Sequence, residues 1–250
     1  SQRIIAGEGD IFVAGGVESI SCVAPHMNRN FWEEAWLAEN RPTSYWNMMK
    51  TAEYVANKYN LKREDMDRYG VESQSKACAA QAAGKFNDEM VALTTIKSVT
   101  DKEGNTTLQE VTVSSDEGLR ESTYEQVSGL KTAVPGGVVT AGNASQFSDG
   151  AGACVVMHED VAAKKGLKPL GRFLGFAVAG LAPEEMGIGP VFAVPKVLKK
   201  LGLTVQDIDL WEINEAFALQ VLYCADTLGI PRDKLNVNGG AIAMGHPYGA

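Results

Sequence analysis

The stretch that decides the fold runs from Asn238 to Ala250 and reads NGGAIAMGHPYGA. Four of its residues are glycine and one is proline, so the backbone can turn sharply and approach a ligand closely. His246 lies within this loop and is one of only three histidines in the chain. An imidazole on such a loop is a candidate acid or base. The alternative is a tight turn in which His246 is only a helix cap or a surface residue.

Working outward from this loop, strand-like and helix-like segments alternate on both sides of a less regular, mostly helical region. The patterns predict strands at residues 10–14, 152–157, 172–179, 208–213 and 235–238, with a tight turn at 15–16. They predict helices at residues 1–6, 51–59, 62–87, 123–130, 159–165, 190–201 and 216–228, a hairpin formed by 91–99 and 108–113, and an irregular connection over 21–49. The alternation favours an α/β protein with an inserted subdomain.

Composition narrows the function classes. The chain has 250 residues, 45% hydrophobic and 22% charged, with a net charge of −8, which argues against a nucleic-acid-binding protein. No apolar run approaches the length of a membrane span. The four cysteines are far apart and lack metal-type spacing, so we expect reduced, buried thiols and no metal site.

Three further motifs are candidate site elements. Asn214-Glu-Ala-Phe217 follows a predicted strand and opens a predicted helix, which is a usual place for sites in α/β proteins. Asn214 could orient a water or polarise a carbonyl, or it could simply cap the helix. Ser145 ends a Gly-Asn-Ala-Ser turn and could contact a ligand. Met48 and its neighbour Met49 could fill the core or line a channel for a flexible acyl or pantetheine chain.

Taken together, these motifs resemble the thiolase family. The resemblance rests on six motifs that follow the family's order and spacing over essentially the whole chain: residues 13–19 (VAGGVES), 51–53 (TAE), 140–145 (TAGNAS) with 149–150 (DG), 186–190 (MGIGP), 214–217 (NEAF) and 238–247 (NGGAIAMGHP).

The resemblance implies a fold of two similar α-β-α layered halves, with mixed five-stranded sheets and an inserted loop domain. We therefore expect residues 1–20 and 148–167 in an incomplete N-terminal half, residues 21–147 in a loop domain that covers coenzyme A, and residues 168–250 in an incomplete C-terminal half. The resemblance also implies a homodimer or homotetramer.

The implied activity is acyl transfer between coenzyme A and a cysteine. A thiolase cleaves 3-ketoacyl-CoA to acetyl-CoA and a shortened acyl-CoA, or runs the reverse Claisen condensation, through an acyl-cysteine intermediate. By position, His246 would help to form the thiolate and donate to an oxyanion, and Asn214 would hold the oxyanion-hole water. Glu215 would order the loop. The implied substrate-binding residues are Ser145, Ala141, Phe147, Met48, Met186 and Phe217. Coenzyme A is a substrate, and no metal or tightly bound cofactor is implied.

Some positions depart from the family pattern. The family's two catalytic cysteines fall upstream and downstream of these residues, so we expect an internal fragment that is inactive by itself. Asn47 stands where short-chain biosynthetic enzymes usually carry a histidine, and Met49 replaces a glycine. Gln146-Phe147 replaces a common Gly-Leu or Gly-Val. We place these changes on the acyl-pocket side, where they favour a degradative enzyme with a broader chain-length range.

Two alternatives remain open. A related decarboxylating ketosynthase would place a second histidine where Asn214 stands, so the NEAF motif argues against it. A thiolase-like protein that binds acyl-CoA or lipid without catalysis is compatible with the residues present. The expected location is cytoplasmic, or mitochondrial or peroxisomal in a eukaryote.

Overall fold

The computed structural model describes all residues from Ser1 to Ala250 and contains ten α-helices and four strands. The order is α1 (Gln2–Ile5), β1 (Ile11–Glu18), α2 (Ile20–Val23), α3 (Ala35–Asn40), α4 (Met48–Lys58), α5 (Arg63–Ala82), β2 (Leu93–Thr100), β3 (Thr106–Val113), α6 (Tyr124–Ser128), β4 (Gly150–Met157), α7 (Glu159–Lys164), α8 (Gly189–Leu201), α9 (Ala218–Leu228) and α10 (Ala241–Met244). Short 3-10 segments join several of these elements, including Pro183–Ile188 before α8. No helix combines the length and the apolar character that a bilayer crossing requires.

Local sequence explains where the long helices begin and end. The Asn47 side chain accepts a hydrogen bond from the Lys50 N–H and caps α4. Glu64 and Asp65 in the first turn of α5 complement the positive end of the helix dipole. Helices α8 and α9 end at Gly202 and Gly229, which adopt the left-handed conformation that glycine tolerates best. The predicted helices are confirmed, with boundaries shifted by a few residues.

The two sheets are antiparallel strand pairs. Strand β1 pairs with β4, and β2 pairs with β3 in the predicted hairpin. The tight turn predicted at Gly15 and Gly16 was wrong, because β1 continues through both residues. A Cβ on Gly15 would crowd the Gly152 carbonyl oxygen, and one on Gly16 would overlap the Gly249 carbonyl oxygen. These glycines therefore serve close backbone packing instead of a turn.

Three predicted strands do not form as expected. Residues 172–179 make no backbone–backbone hydrogen bond and form no strand, since a strand requires a ladder of such bonds to a paired segment. Residues 208–213 and 235–238 form no strand: they are joined by a single parallel bridge between Trp211 and Leu235 and by the Asn236 side chain, which bonds the Ile213 backbone. The α/β class is confirmed, and the strands form two two-stranded sheets, so neither half contains a complete five-stranded sheet, as we expected of incomplete halves.

The connection over residues 21–49 was also predicted with too little structure. It contains most of α2, all of α3 and the start of α4. The Glu34 side chain begins α3 by accepting hydrogen bonds from the backbone N–H groups of Trp36 and Leu37. A glutamate thus supplies the capping oxygen that a serine, threonine, aspartate or asparagine usually provides.

The core lies under the loops that carry the candidate site. Nineteen buried residues form one cluster drawn from α4, α5, α8, α9 and the segments around Trp211, Leu235 and Ile242. Helix α5 packs against α6, α9 and α10, and α4 packs against α9 and the 3-10 segment Pro183–Ile188. The helices assigned to the loop domain therefore pack directly on those assigned to the C-terminal half. The domain limits themselves stay predictions, although the β1–β4 pair joins the two segments assigned to the N-terminal half.

Candidate active site

His246 is held in a half-buried loop that follows the short helix α10. The helix ends at Gly245, whose φ of 99° favours glycine. The His246 backbone N–H donates to the Gln146 carbonyl oxygen at 3.0 Å, and a parallel bridge joins Phe147 to His246. The glycine-rich motif thus places the imidazole against the end of the 140–145 motif.

The Asn214 side chain meets the His246 imidazole. Asn214 Nδ2 lies 3.0 Å from His246 Nε2 across 32 residues of sequence. An amide nitrogen can only donate, so Nε2 accepts, and the imidazole is the neutral tautomer with its proton on Nδ1. Burial lowers the pKa of His246 below its ordinary value, which also favours the neutral ring. The arrangement presents an amide donor and a neutral imidazole at one point.

Aromatic side chains surround the imidazole on its own loop. The Tyr248 ring packs edge-on against the His246 ring, with centroids 4.6 Å apart, and Phe147 packs edge-on against Tyr248 at 6.2 Å. Phe147 is 72% exposed, so its ring offers apolar surface next to the imidazole. Tyr248 was not predicted as a site residue, because its sequence position does not reveal this packing.

Glu215 orders the loop next to Asn214. It is fully buried, and its carboxylate accepts hydrogen bonds from four donors. These donors are the Tyr69 hydroxyl (2.8 Å), the Ser73 hydroxyl (2.6 Å), Asn236 Nδ2 (2.9 Å) and the Ile242 N–H (3.1 Å). A carboxylate with four donors is fully satisfied and rigid. The geometry agrees with the expectation that Glu215 orders its loop.

The Ser145 motif is joined to the Asn214 motif by backbone pairing. The Ser145 N–H donates to the Ala216 carbonyl oxygen at 3.0 Å, and Ala144 forms an antiparallel bridge with Phe217. Asn143 is buried and donates from Nδ2 to Asp67 at 2.8 Å. The structure thus brings the two motifs together.

The remaining side chains of these motifs stay accessible. The Ser145 hydroxyl forms no hydrogen bond within the chain, Ala141 is exposed, and Phe217 is half-buried. All three therefore remain available to a ligand.

Helix α5 anchors all three site loops. Asp67 holds Asn143, Tyr69 and Ser73 hold Glu215, and the Gln74 side chain donates to the Ile242 carbonyl oxygen at 3.3 Å. Sequence reasoning missed these residues. Their signal was a set of polar residues within two turns of the face that also carries Met66 and Ala77, where an ordinary helix would be apolar.

Met48 and Met186 lie on a separate pair of packed elements. Met48 begins α4, Met186 lies in the 3-10 segment Pro183–Ile188, and these two elements pack together. Glu185 fixes this segment by accepting from the Tyr59 hydroxyl at 2.5 Å and pairing with Lys58 at 2.8 Å. The two methionines are 44% and 50% exposed. Their place in a ligand pocket stays a prediction.

The cysteines do not take part in this arrangement. All four are free, but only Cys224 is buried, and Cys22 and Cys154 are exposed. The expectation of four buried thiols was therefore wrong, since Cys154 on β4 and Cys22 on α2 lie at the surface. The Cys22 sulfur accepts from the Ser21 hydroxyl, and the Cys224 thiol donates to the Gly187 carbonyl oxygen. No cysteine forms a hydrogen bond with Asn214 or His246.

Solved structures share this fold. The dimeric peroxisomal thiolase of Saccharomyces cerevisiae superposes with a TM-score of 0.88 and 40% identity, over 99% of this chain and 62% of that one. Human mitochondrial 3-ketoacyl-CoA thiolase in complex with CoA gives a TM-score of 0.82 and 38% identity, over 100% of this chain and 63% of that one.

Sequence comparison gives the same assignment. A 3-ketoacyl-CoA thiolase of Bacillus subtilis is 45% identical over all of this chain and 64% of its own length. The chain thus spans roughly three-fifths of the length of the curated relatives it matches. A family model described as the thiolase C-terminal domain matches residues 167–250. The model described as the thiolase N-terminal domain matches residues 1–160, and the chain belongs to the thiolase family.

Proposed function

We propose that this protein is a 3-ketoacyl-CoA thiolase, an acyltransferase that cleaves 3-ketoacyl-CoA to acetyl-CoA and a shortened acyl-CoA or catalyses the reverse condensation. The observation that carries the proposal is the 3.0 Å approach of Asn214 Nδ2 to His246 Nε2. Both residues belong to motifs that resemble the family, and they come from segments far apart in sequence. Their convergence on one exposed point fits a site for a polarised carbonyl.

The proposed reaction proceeds in two transfers. A cysteine thiolate attacks the 3-keto carbon, the bond between the α- and β-carbons breaks, and its electron pair passes to acetyl-CoA as an enolate that takes up a proton. The thiol of a second CoA then attacks the acyl-cysteine, forms the shortened acyl-CoA and releases the cysteine thiolate. Since none of the four cysteines here hydrogen bonds to Asn214 or His246, the acyl-carrying thiol is proposed to be another cysteine.

His246 and Asn214 have distinct proposed roles. A neutral imidazole can accept the proton of a thiol, and burial, which lowers the pKa of His246, favours that neutral ring. The imidazolium formed in this way can donate to a thioester oxygen as negative charge develops on it. Asn214 adds a fixed donor, directly or through a water, and fixed donors favour the charged transition state over the ground state.

We propose that a long acyl-CoA binds along exposed apolar side chains. Phe147, Met48 and Met186 present such side chains, and the Ser145 hydroxyl is free for an amide of pantetheine. We place the pantetheine and acyl chains on these side chains, as the resemblance implies, with Ala141 and Phe217 beside them. A degradative role with a broad chain-length range stays part of this proposal.

The direct test is thiolysis of acetoacetyl-CoA and longer 3-ketoacyl-CoA substrates by the purified full-length protein, with acetyl-CoA measured by mass spectrometry. His246→Ala should lower kcat by about 10²–10⁴-fold, and Asn214→Ala by about 10²–10³-fold. His158→Ala is the matched control, because His158 is an exposed helix cap of α7, and it should leave kcat unchanged. Wild-type activity in the His246→Ala variant would refute the proposal.

The non-catalytic alternative predicts a different labelling pattern. In a thiolase, iodoacetamide labels a reactive cysteine of the full-length protein, and prior acetylation by acetyl-CoA blocks that label. A protein that only binds acyl-CoA or lipid has no cysteine that acetyl-CoA acetylates. Absence of a protected cysteine would therefore favour the binder.

The remaining partners and conditions are part of the proposal. The yeast relative is described as dimeric, and we propose a homodimer here, with a homotetramer as the alternative that light scattering would detect. We propose that no metal or tightly bound cofactor is required, so activity should survive dialysis against a chelator.

Several relatives are named peroxisomal. A peroxisomal or mitochondrial location in a eukaryote, or a cytoplasmic one in a bacterium, is testable with a fluorescent fusion.

A further inference from the structure

Gln146 holds the His246 loop through both its backbone and its side chain. Its carbonyl oxygen accepts the His246 N–H at 3.0 Å. Its side-chain Nε2 donates toward the carbonyl oxygens of Ile242 at 3.1 Å and Ala243 at 3.0 Å, which belong to α10. These contacts turn the Gln146 side chain toward α10. Its expected place on the acyl-pocket side stays a prediction.

Arg120 fixes the orientation of the Gln146 amide. Gln146 Oε1 accepts from the Arg120 guanidinium at 2.8 Å, and Nε2 also approaches the Gly118 carbonyl oxygen at 3.0 Å. Carbonyl oxygens on one side and a guanidinium on the other permit only this orientation of the amide. The Arg120 N–H in turn donates to Gln74 Oε1 on α5 at 3.0 Å. The anchor therefore extends back to the core helix.

The imidazole depends on this anchor, because Glu215 and Gln74 hold only Ile242, whereas Gln146 also bonds Ala243 and the His246 N–H itself. Helix α10 has only four residues, and a helix of that length has no stability of its own. The His246 side chain makes a single hydrogen bond, to Asn214, and packs against Tyr248 on the same loop. A change of even 1 Å in the position of a reacting group can cost about 10²-fold in rate.

We propose that Gln146 is a positioning residue for His246. Its carbonyl oxygen and its amide together set the place of the imidazole opposite Asn214, and Arg120 locks the amide. The claim about geometry stands on the contacts above, whereas its consequence for turnover rests on the proposed thiolase function.

The pKa of His246 provides a measurable readout of this positioning role. The Tyr248 phenol packs against the ring, and its pKa is raised by burial and by Glu18 at the end of β1. The pKa of His246 is lowered by burial alone. Loosening the loop should admit water to the ring and move that pKa up toward the ordinary imidazole value.

The test is nitrogen-15 NMR of the imidazole rings in wild-type protein and in Gln146→Met. The chain has three histidines, so His26 and His158 serve as internal references. We expect Gln146→Met to shift the His246 ring signals and raise its titration midpoint while both references stay in place. Gln109→Met is the matched control, since Gln109 lies exposed on β3, and it should move none of the three. An unchanged His246 in folded Gln146→Met protein would overturn the proposal.

A second variant covers the case in which Gln146→Met does not fold. Arg120→Met leaves the amide in place but frees its orientation, and it should shift His246 in the same direction by a smaller amount. No shift in folded Arg120→Met protein would then refute the proposal.

Turnover gives an independent measurement. In the full-length enzyme Gln146→Met should lower kcat about 10–100-fold and leave KM within about twofold. If the wild-type enzyme shows no thiolysis, the proposed function fails, and the NMR result still decides the role of Gln146.

Discussion

Replacing the buried Glu215 carboxylate by an amide is the most informative single perturbation of the fold around the site. In Glu215→Gln the side chain keeps its shape but loses its charge and one of its two oxygens. Oε1 accepts from Tyr69 and Asn236, and Oε2 accepts from Ser73 and the Ile242 N–H. Whichever oxygen becomes NH₂, that group faces two donors.

The hydroxyl in each pair can rotate, but the other donor cannot turn away. The Ile242 N–H is fixed by the backbone, and Asn236 is held because its Oδ1 accepts from the Ile213 N–H at 2.8 Å. One buried donor is therefore left unsatisfied, which costs about 1–3 kcal/mol. The remaining bonds also lose their charge assistance. We expect a loss of about 2–4 kcal/mol in the free energy of unfolding, a large part of the usual total.

Urea unfolding followed by circular dichroism measures this loss directly. The transition midpoint should fall with little change in the slope of free energy against urea. Glu212→Gln is the matched control, because Glu212 is exposed on the same segment, and it should cost less than about 0.5 kcal/mol. Equal midpoints for Glu215→Gln and wild type would show that the four hydrogen bonds do not hold the loop as described.

Three further predictions concern packing, pH and thiol reactivity. Gly70→Ala should destabilise the protein by about 1–3 kcal/mol despite the better helix propensity of alanine, because the new Cβ would overlap the Gly142 carbonyl oxygen. Gly189→Ala in α8 should not destabilise the protein, because the space around that position is open. Equal urea midpoints for the two variants would refute this prediction. Burial lowers the pKa of His246 in the folded protein, so the neutral ring stabilises the fold above the ordinary imidazole pKa, and this stabilisation is lost as pH falls toward the folded pKa. The urea midpoint of His246→Gln should lack this part of its pH dependence. A pH profile equal to that of the wild type would contradict the prediction. Burial raises the pKa of the Cys224 thiol to about 12. Iodoacetamide at pH 8 should therefore label the exposed Cys22 and Cys154 and spare Cys224 until the protein is denatured. Labelling of Cys224 in the folded protein, measured by mass spectrometry, would be inconsistent with its burial.

The helices and the hairpin could be predicted because local signals determine them. Asn47 caps α4, glycine follows α8 and α9, and Asp101 and Asn105 close the hairpin loop through side-chain hydrogen bonds at 2.8 and 3.0 Å. The pairing of Asn214 with His246 was expected only from the resemblance of their motifs. Nothing in the local pattern around either residue specifies the other.

The failures have a common physical origin in nonlocal contacts. A strand exists only if a second strand pairs with it, so the β-branched and aromatic residues of 172–179 were not sufficient. Gly15 and Gly16 resemble a turn in sequence, whereas their role is set by the segments that pack against them. The direction of the Gln146 side chain depends on the distant carbonyl groups of α10. Such contacts cannot be read from a local window.

The central claim is that Asn214 and His246 converge on one carbonyl of a bound thioester. A crystal structure of the full-length protein with an acyl-CoA tests it most directly. We predict that Nδ2 and Nε2 lie close to the present 3.0 Å, with the thioester oxygen within hydrogen-bonding distance of the imidazole and of Asn214 or a water that it holds. A thioester bound elsewhere on the molecule, or an imidazole and an amide that face away from each other, would contradict the account.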